Sequence, residues 1–175
     1  MNNQEAAPLK TILIVDDVVE NLDILNNILG SRYQIKVATN GRVAIKIALS
    51  SHPPDIILLD VMMPVLDGYE VCQILKQDDR TRDIPILFVT SKAEEEDASK
   101  GFEVGAADYL LKPVSQSIVL ARIKTHLALH DQRKLLDDRS KSVRPSLYSV
   151  ILNLKRLVGK RFKNKKNDGI NTERQ

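Results

Sequence analysis

The stretch DIILLDVMMPVLD, residues 55–67, decides the fold. Its apolar run, residues 56–59, stops abruptly on Asp60. Four uninterrupted apolar residues read as a strand buried on both faces, as in a parallel sheet. A carboxylate at the carboxyl end of such a strand is not a packing residue. It stands where open α/β sheets keep their chemistry.

Working outward, three more apolar runs also end on polar groups. TILIV (11–15) runs into Asp16 and Asp17, PILFV (85–89) into Thr90, and DYLL (108–111) into Lys112. QIKVA (34–38) alternates weakly and reads as one more strand. Helical patterns lie between them. Val19, Leu22, Leu25, Ile28 and Leu29 share a face, and Gly30 stops the helix. Asn40 caps a helix through Ser50, with Val43, Ala44, Ile47 and Ala48 on one face. Pro53 and Pro54 break the chain before the central strand. Asp67 and Glu70 have capping-box spacing for a helix over 68–77. Ser91 and Glu94 repeat that spacing for a helix to about Val104, ended by Gly105, and Ser115 caps a last helix running past Leu127. Five β-α alternations predict an α/β fold: a doubly wound, five-stranded parallel sheet with helices on both faces and right-handed crossovers. Because all strands point one way, Asp16, Asp17, Asp60, Thr90 and Lys112 gather at one edge.

Three carboxylates at one site repel one another, and a divalent cation resolves the repulsion. Hard oxygen ligands of this kind suit Mg²⁺, with Mn²⁺ as a substitute. Lys112 adds a positive charge and Thr90 a hydroxyl. Metal, ammonium and hydroxyl around one carboxylate are what a phosphoryl group needs once it is attached there. Each residue also has a plainer reading. Asp17 with Glu20 has capping spacing, Thr90 can simply end a strand, and Lys112 before Pro113 can be a solvated turn residue. Their coincidence at the ends of one parallel sheet favours the functional reading.

These pieces, ILIVDD (12–17), DIILLDVMMPVLDG (55–68), PILFVTS (85–91) and the residues from Gly105 to Pro113, resemble the receiver domain of two-component response regulators over residues 10–130. The resemblance implies a flavodoxin-like sheet of order 2-1-3-4-5. It implies that Asp60 is the phosphoacceptor, Asp17 a direct metal ligand, and Asp16 its water-mediated partner. It also implies that the Met62 carbonyl is a further ligand, Thr90 the switch hydroxyl, Lys112 the ion partner of the phosphoryl group, and Tyr109 the aromatic that turns inward when Thr90 moves. The Lys112–Pro113 bond is expected to be cis. Ser91 stands where the family often has alanine or glycine, and Met62 offers no polar side chain. The implied donor is a sensor histidine kinase or phosphotransfer protein. The chain would be a signalling phosphoacceptor with Mg²⁺-dependent self-catalysed phosphotransfer and slow autodephosphorylation, rather than an enzyme in its own right.

Composition agrees with a globular domain plus an extension. The 175 residues are 43% hydrophobic and 28% charged, and no apolar run approaches the ~18 residues a membrane helix needs. The N-terminus lacks a secretory pattern and Cys72 is the only cysteine, so a reducing cytoplasm is expected. Cys72 reads as a small buried helix residue. Charge is segregated. Residues 1–130 carry 13 Lys/Arg against 18 Asp/Glu, and residues 131–175 carry 13 against 5. The expected organisation is a flexible leader (1–9), the receiver domain (10–130), and a basic helical extension with a disordered tail (131–175). In the extension, Leu147, Val150, Ile151, Leu154, Leu157 and Val158 fall at helical spacing after Pro145. An extra packed helix, a homodimer contact, a docking element for a downstream protein, and a membrane-surface or nucleic-acid contact all fit that composition. About 45 residues without a helix-turn-helix pattern argue against a standard DNA-binding output domain, and leave no room for a cyclase or phosphodiesterase domain. The expected output is therefore protein contact, with a DNA-binding or membrane-associated regulator as the alternative. A phosphatase of similar α/β fold with an Asp nucleophile would want a second acid two residues on, where Met62 stands.

Overall fold

The computed structural model describes residues 8–91 and 103–139. Contacts divide the chain into residues 1–130 and 131–175, which are taken separately. In the first unit the order is β1 (Thr11–Val15), α1 (Val19–Leu29), β2 (Gln34–Ala38), α2 (Gly41–Ala48), β3 (Ile56–Asp60), α3 (Gly68–Gln77), β4 (Ile86–Thr90) and β5 (Asp108–Leu111). Residues 116–130 are then helical. The helix expected over 91–104 lies mostly outside the described residues. In the second unit residues 131–139 are helical and largely exposed; Pro145, the amphipathic pattern and the tail fall outside the described residues.

All five strands pair in parallel in the order β2-β1-β3-β4-β5. Alternate residues of each strand face opposite sides, so two cores form. Leu13, Val15, Ile57 and Leu59 pack with Ala44 and Ala48 of α2 and with Val71, Cys72 and Leu75 of α3. Ile12, Ile14, Ile56 and Leu58 pack with Leu22, Leu25 and Leu29 of α1 and with Val119, Ile123 and Leu127. Strand β3 lies in the middle and is buried along its whole length, which explains its uninterrupted apolar run. Fully burying four Ile/Leu side chains contributes about 1.5–3 kcal/mol each. That is enough to offset ending the strand on a buried carboxylate.

Local chemistry sets the helix ends. The Asn40 side chain accepts from the Val43 N–H at 3.0 Å, and Asp67 and Glu70 form a reciprocal capping box at 2.8 and 2.9 Å. Helix α2 ends at Ala48, short of the expected Ser50, because the Ser50 hydroxyl donates to the Ile47 carbonyl and closes the last turn. Strand β4 starts at Ile86, since Pro85 has no N–H to pair; its carbonyl still accepts from Ile57 at 3.0 Å. Gly30 sits at the end of α1 in the right-handed region, so it stops the helix without a left-handed turn.

The segment between β3 and α3 is tight. Leu66 N–H donates to the Pro64 carbonyl at 2.8 Å, and Val65 between them has φ 70°, a three-residue turn that a β-branched residue enters at a cost. The Lys112–Pro113 bond is cis, as expected.

Candidate functional site

The carboxyl ends of β1, β3, β4 and β5 meet at one edge of the sheet. Asp16 and Asp17 follow β1, Asp60 closes β3, Thr90 closes β4, and Lys112 follows β5. Parallel pairing places Asp60 opposite Val89 and Thr90 opposite Leu111. One carboxylate oxygen from each of Asp16, Asp17 and Asp60 lies within 4.8 Å of the others. Asp16 and Asp60 are buried, at 1% and 4% exposure, while Asp17 is exposed.

Lys112 is the cation of this cluster. Its Nζ donates to Asp16 Oδ2 at 2.7 Å and to Asp60 Oδ1 at 2.9 Å. Burial pushes the Asp60 carboxyl above its ordinary range. The Lys112 hydrogen bond pulls it back, and the like charges of Asp16 and Asp17 push it up again. Burial also works against the Lys112 ammonium, but Asp16 and Asp60 outweigh it and raise its pKa. One ammonium is therefore well served by two carboxylates, while Asp60 is under-served by one ammonium. Fully ionised, three carboxylates and one ammonium leave a charge equal and opposite to one divalent cation. Converging oxygens, two of them buried, fit Mg²⁺ in both charge and hardness.

Asp17 was open to use as a helix cap, and the structure removes that use. The position before α1 belongs to Val18, and no side chain caps the helix there. Asp16 serves the helix start, its Oδ1 accepting from the Val18 N–H at 2.9 Å and from Asn21 Nδ2 at 3.0 Å. Sequence reading passed over Asn21, because a polar residue in a first helical turn carries no local sign of what it reaches.

The remaining expected residues stand around this centre. Thr90 is buried, and its carbonyl accepts from the Lys112 N–H at 2.8 Å. Tyr109 lies opposite Phe88 on β5 and is 37% exposed. Met62 lies two residues past Asp60 with its side chain exposed. Gly68 presses the start of α3 against the end of β3, and its N–H donates to the Val61 carbonyl at 3.0 Å.

Comparison with known proteins agrees with this arrangement. The response regulator receiver domain family matches residues 12–124. The alkaline phosphatase synthesis transcriptional regulatory protein PhoP of Bacillus subtilis is 44% identical over 119 residues, covering 67% of this chain and 48% of PhoP. The response regulator PleD of Caulobacter vibrioides is 40% identical over 115 residues, covering 65% of this chain and 25% of PleD. This chain thus spans about a quarter to a half of the length of the curated relatives it matches. Among solved structures, the receiver domain of the sensor histidine kinase PA1611 from Pseudomonas aeruginosa, with a magnesium ion coordinated in its active-site cleft, superposes with a TM-score of 0.64 at 27% identity. That match covers 69% of this chain and 99% of that one. Sheet order, motif spacing and the match across 12–124 converge on one conclusion: this chain belongs to the response regulator receiver domain family of two-component signalling.

Proposed function

We propose that Asp60 accepts a phosphoryl group from a phosphohistidine on a sensor kinase or phosphotransfer protein, and that the chain signals by protein contact. The observation that carries this reading is the buried Asp60 carboxylate. It is bridged by Lys112 to Asp16 and grouped with Asp17 within 4.8 Å. In the transfer, an Asp60 oxygen attacks phosphorus in line, a P–O bond forms, and the P–N bond to the donor imidazole breaks. Lys112 stands beside the attacking carboxylate and neutralises charge on the equatorial oxygens. Asp16, Asp17 and Asp60, with the Met62 carbonyl, would hold Mg²⁺. When bound, the ion supplies charge neutralisation and orientation for the phosphoryl oxygens.

The phosphoryl group carries about −1.5 to −2 charge and replaces the single negative charge of the carboxylate, so this edge becomes more negative by about one charge or less. Thr90 is drawn toward it, Tyr109 fills the space left behind, and the β5 surface changes shape. Wild-type protein should be labelled by acetyl phosphate with Mg²⁺, and Asp60→Asn should not. Mg²⁺-dependent labelling of Asp60→Asn at the wild-type rate overturns the assignment.

A second output, nucleic-acid contact through residues 131–175, is favoured by their basic charge. Retardation of duplex DNA that weakens steeply with salt is its mark. Among the described residues no helix is long and apolar enough to cross a membrane.

A further inference from the structure

We infer that Asn21 is a positioning residue that orients Asp16 for the divalent cation. The inference rests on the phosphoacceptor reading above. Asp16 is almost fully buried, so both of its oxygens need partners within the protein. Oδ1 receives two donors from the start of α1, the Val18 N–H and the Asn21 amide. Oδ2 receives one, from Lys112, which also holds Asp60 Oδ1. A carboxylate fixed at one oxygen by two donors cannot swing about its last torsion. Its second oxygen is then held toward Lys112 and the acidic cluster. Asn21 is thus the far end of a chain of contacts, Asn21 to Asp16 to Lys112 to Asp60, that spans the site.

The residue type matters. An amide donates a hydrogen bond without adding charge. Lysine or arginine at the same place would neutralise Asp16 and compete with the cation. Aspartate would repel Asp16, and an aliphatic residue would leave Oδ1 with the Val18 N–H alone. Position 21 is the third residue of α1, where a polar side chain often serves its own helix end. Here the side chain reaches back five residues to a group outside the helix. Groups that orient a metal-binding carboxylate typically change metal affinity 10- to 100-fold when removed.

The test is titration of the full chain with Mn²⁺ alone, free ion being read by its electron paramagnetic resonance signal. Asn21→Leu should bind Mn²⁺ about tenfold more weakly than wild type, with a similar thermal midpoint. Its labelling by acetyl phosphate should recover when Mg²⁺ is raised about tenfold, because the loss lies in loading the site. Ile24 lines the same cleft one turn further along α1 and has no polar group to offer Asp16, so Ile24→Ala should bind Mn²⁺ as wild type does. If leucine at 21 melts the fold, Asn21→Ser, too short to reach Asp16, is read the same way. Affinity of the Asn21 variants within twofold of wild type overturns the inference, as does an equal loss in Ile24→Ala. A wild-type chain that binds no Mn²⁺ overturns the metal reading and the inference with it.

Discussion

Gly68→Ala should disable Asp60 without touching any charged group. A Cβ at position 68 would lie 2.3 Å from the Asp60 carbonyl oxygen and 2.8 Å from the Val61 Cα. Ordinary contact begins at 3.4 Å, so the methyl group is about 1.1 Å too close. Both neighbours are backbone, and no side-chain rotation relieves the clash. Either α3 retreats from β3 or the Asp60 backbone moves. Helix α3 is anchored by Tyr69, Val71, Cys72 and Leu75 in the core and by the Asp67–Glu70 box, so much of the displacement falls on Asp60. Overpacking of this kind costs about 1–3 kcal/mol of stability. Misplacing a reacting group by about 1 Å costs on the order of 100-fold in rate. The assay is the initial rate of labelling by acetyl phosphate at saturating Mg²⁺, beside thermal unfolding followed by circular dichroism. Gly30→Ala is the control. Its Cβ would press on the Asn26 carbonyl oxygen at 2.9 Å, within its own helix, so it should destabilise but label normally. A folded Gly68→Ala protein that labels at the wild-type rate refutes the reasoning.

Two further outcomes follow from local geometry. Val65 is 88% exposed with φ 70°, so Val65→Gly should relieve about 1 kcal/mol of strain net of glycine's extra chain entropy, raising the thermal midpoint by a few degrees. An unchanged or lower midpoint removes the strain argument. Asp108 accepts from Arg122, from His126 Nε2 at 3.0 Å and from the Tyr109 N–H at 2.9 Å. Burial works against its charge, but these donors outweigh burial and hold its carboxyl below the usual range. A depressed acid adds stability that is fully present above the unfolded carboxyl pKa of about 3.9 and is lost as pH falls through the folded one. Asp108→Asn should therefore cost about 1–3 kcal/mol at pH 7 and less at pH 3, below the unfolded carboxyl pKa, measured by urea unfolding at both pH values. Equal costs at both would show that its charge contributes nothing.

The fold was legible because its signals are local. Apolar runs mark the strands, and the Asn40 and Asp67–Glu70 caps mark helix starts that the structure reproduces. The convergence of Asp16, Asp17 and Asp60 followed from direction alone, since parallel strands deliver their ends to one edge. The rest depended on which of two local options the tertiary structure takes. Asp17 and Glu20 have capping spacing, yet Val18 holds the cap position because the buried Asp16 carboxylate already takes its N–H. Arg122 and His126 share one helix face, but only the folded sheet brings Asp108 to them. Gly68 reads in sequence as a first helical residue, and its crowding against Asp60 needs β3 and α3 in place.

Lys112 shows why such long-range contacts matter to the proposed switch. Its side chain holds Asp60 and Asp16, and its backbone N–H holds the carbonyl of Thr90. It follows directly on β5, three residues after Tyr109. A phosphoryl group on Asp60 would compete for the same ammonium, whose attachment to Asp16 is a short bond between a buried anion and a cation. Any shift of Lys112 toward the new charge pulls on both Thr90 and the end of β5. In the proposed switch the hydroxyl and the aromatic would then need no separate trigger, because one residue, through its side chain and its backbone N–H, already ties Asp60 to the ends of β4 and β5. That tie is strong only while Asp16 is held in place from behind. On the proposed mechanism Asn21, which hydrogen-bonds Asp16 and not Asp60, would therefore belong to the same apparatus as Thr90 and Tyr109.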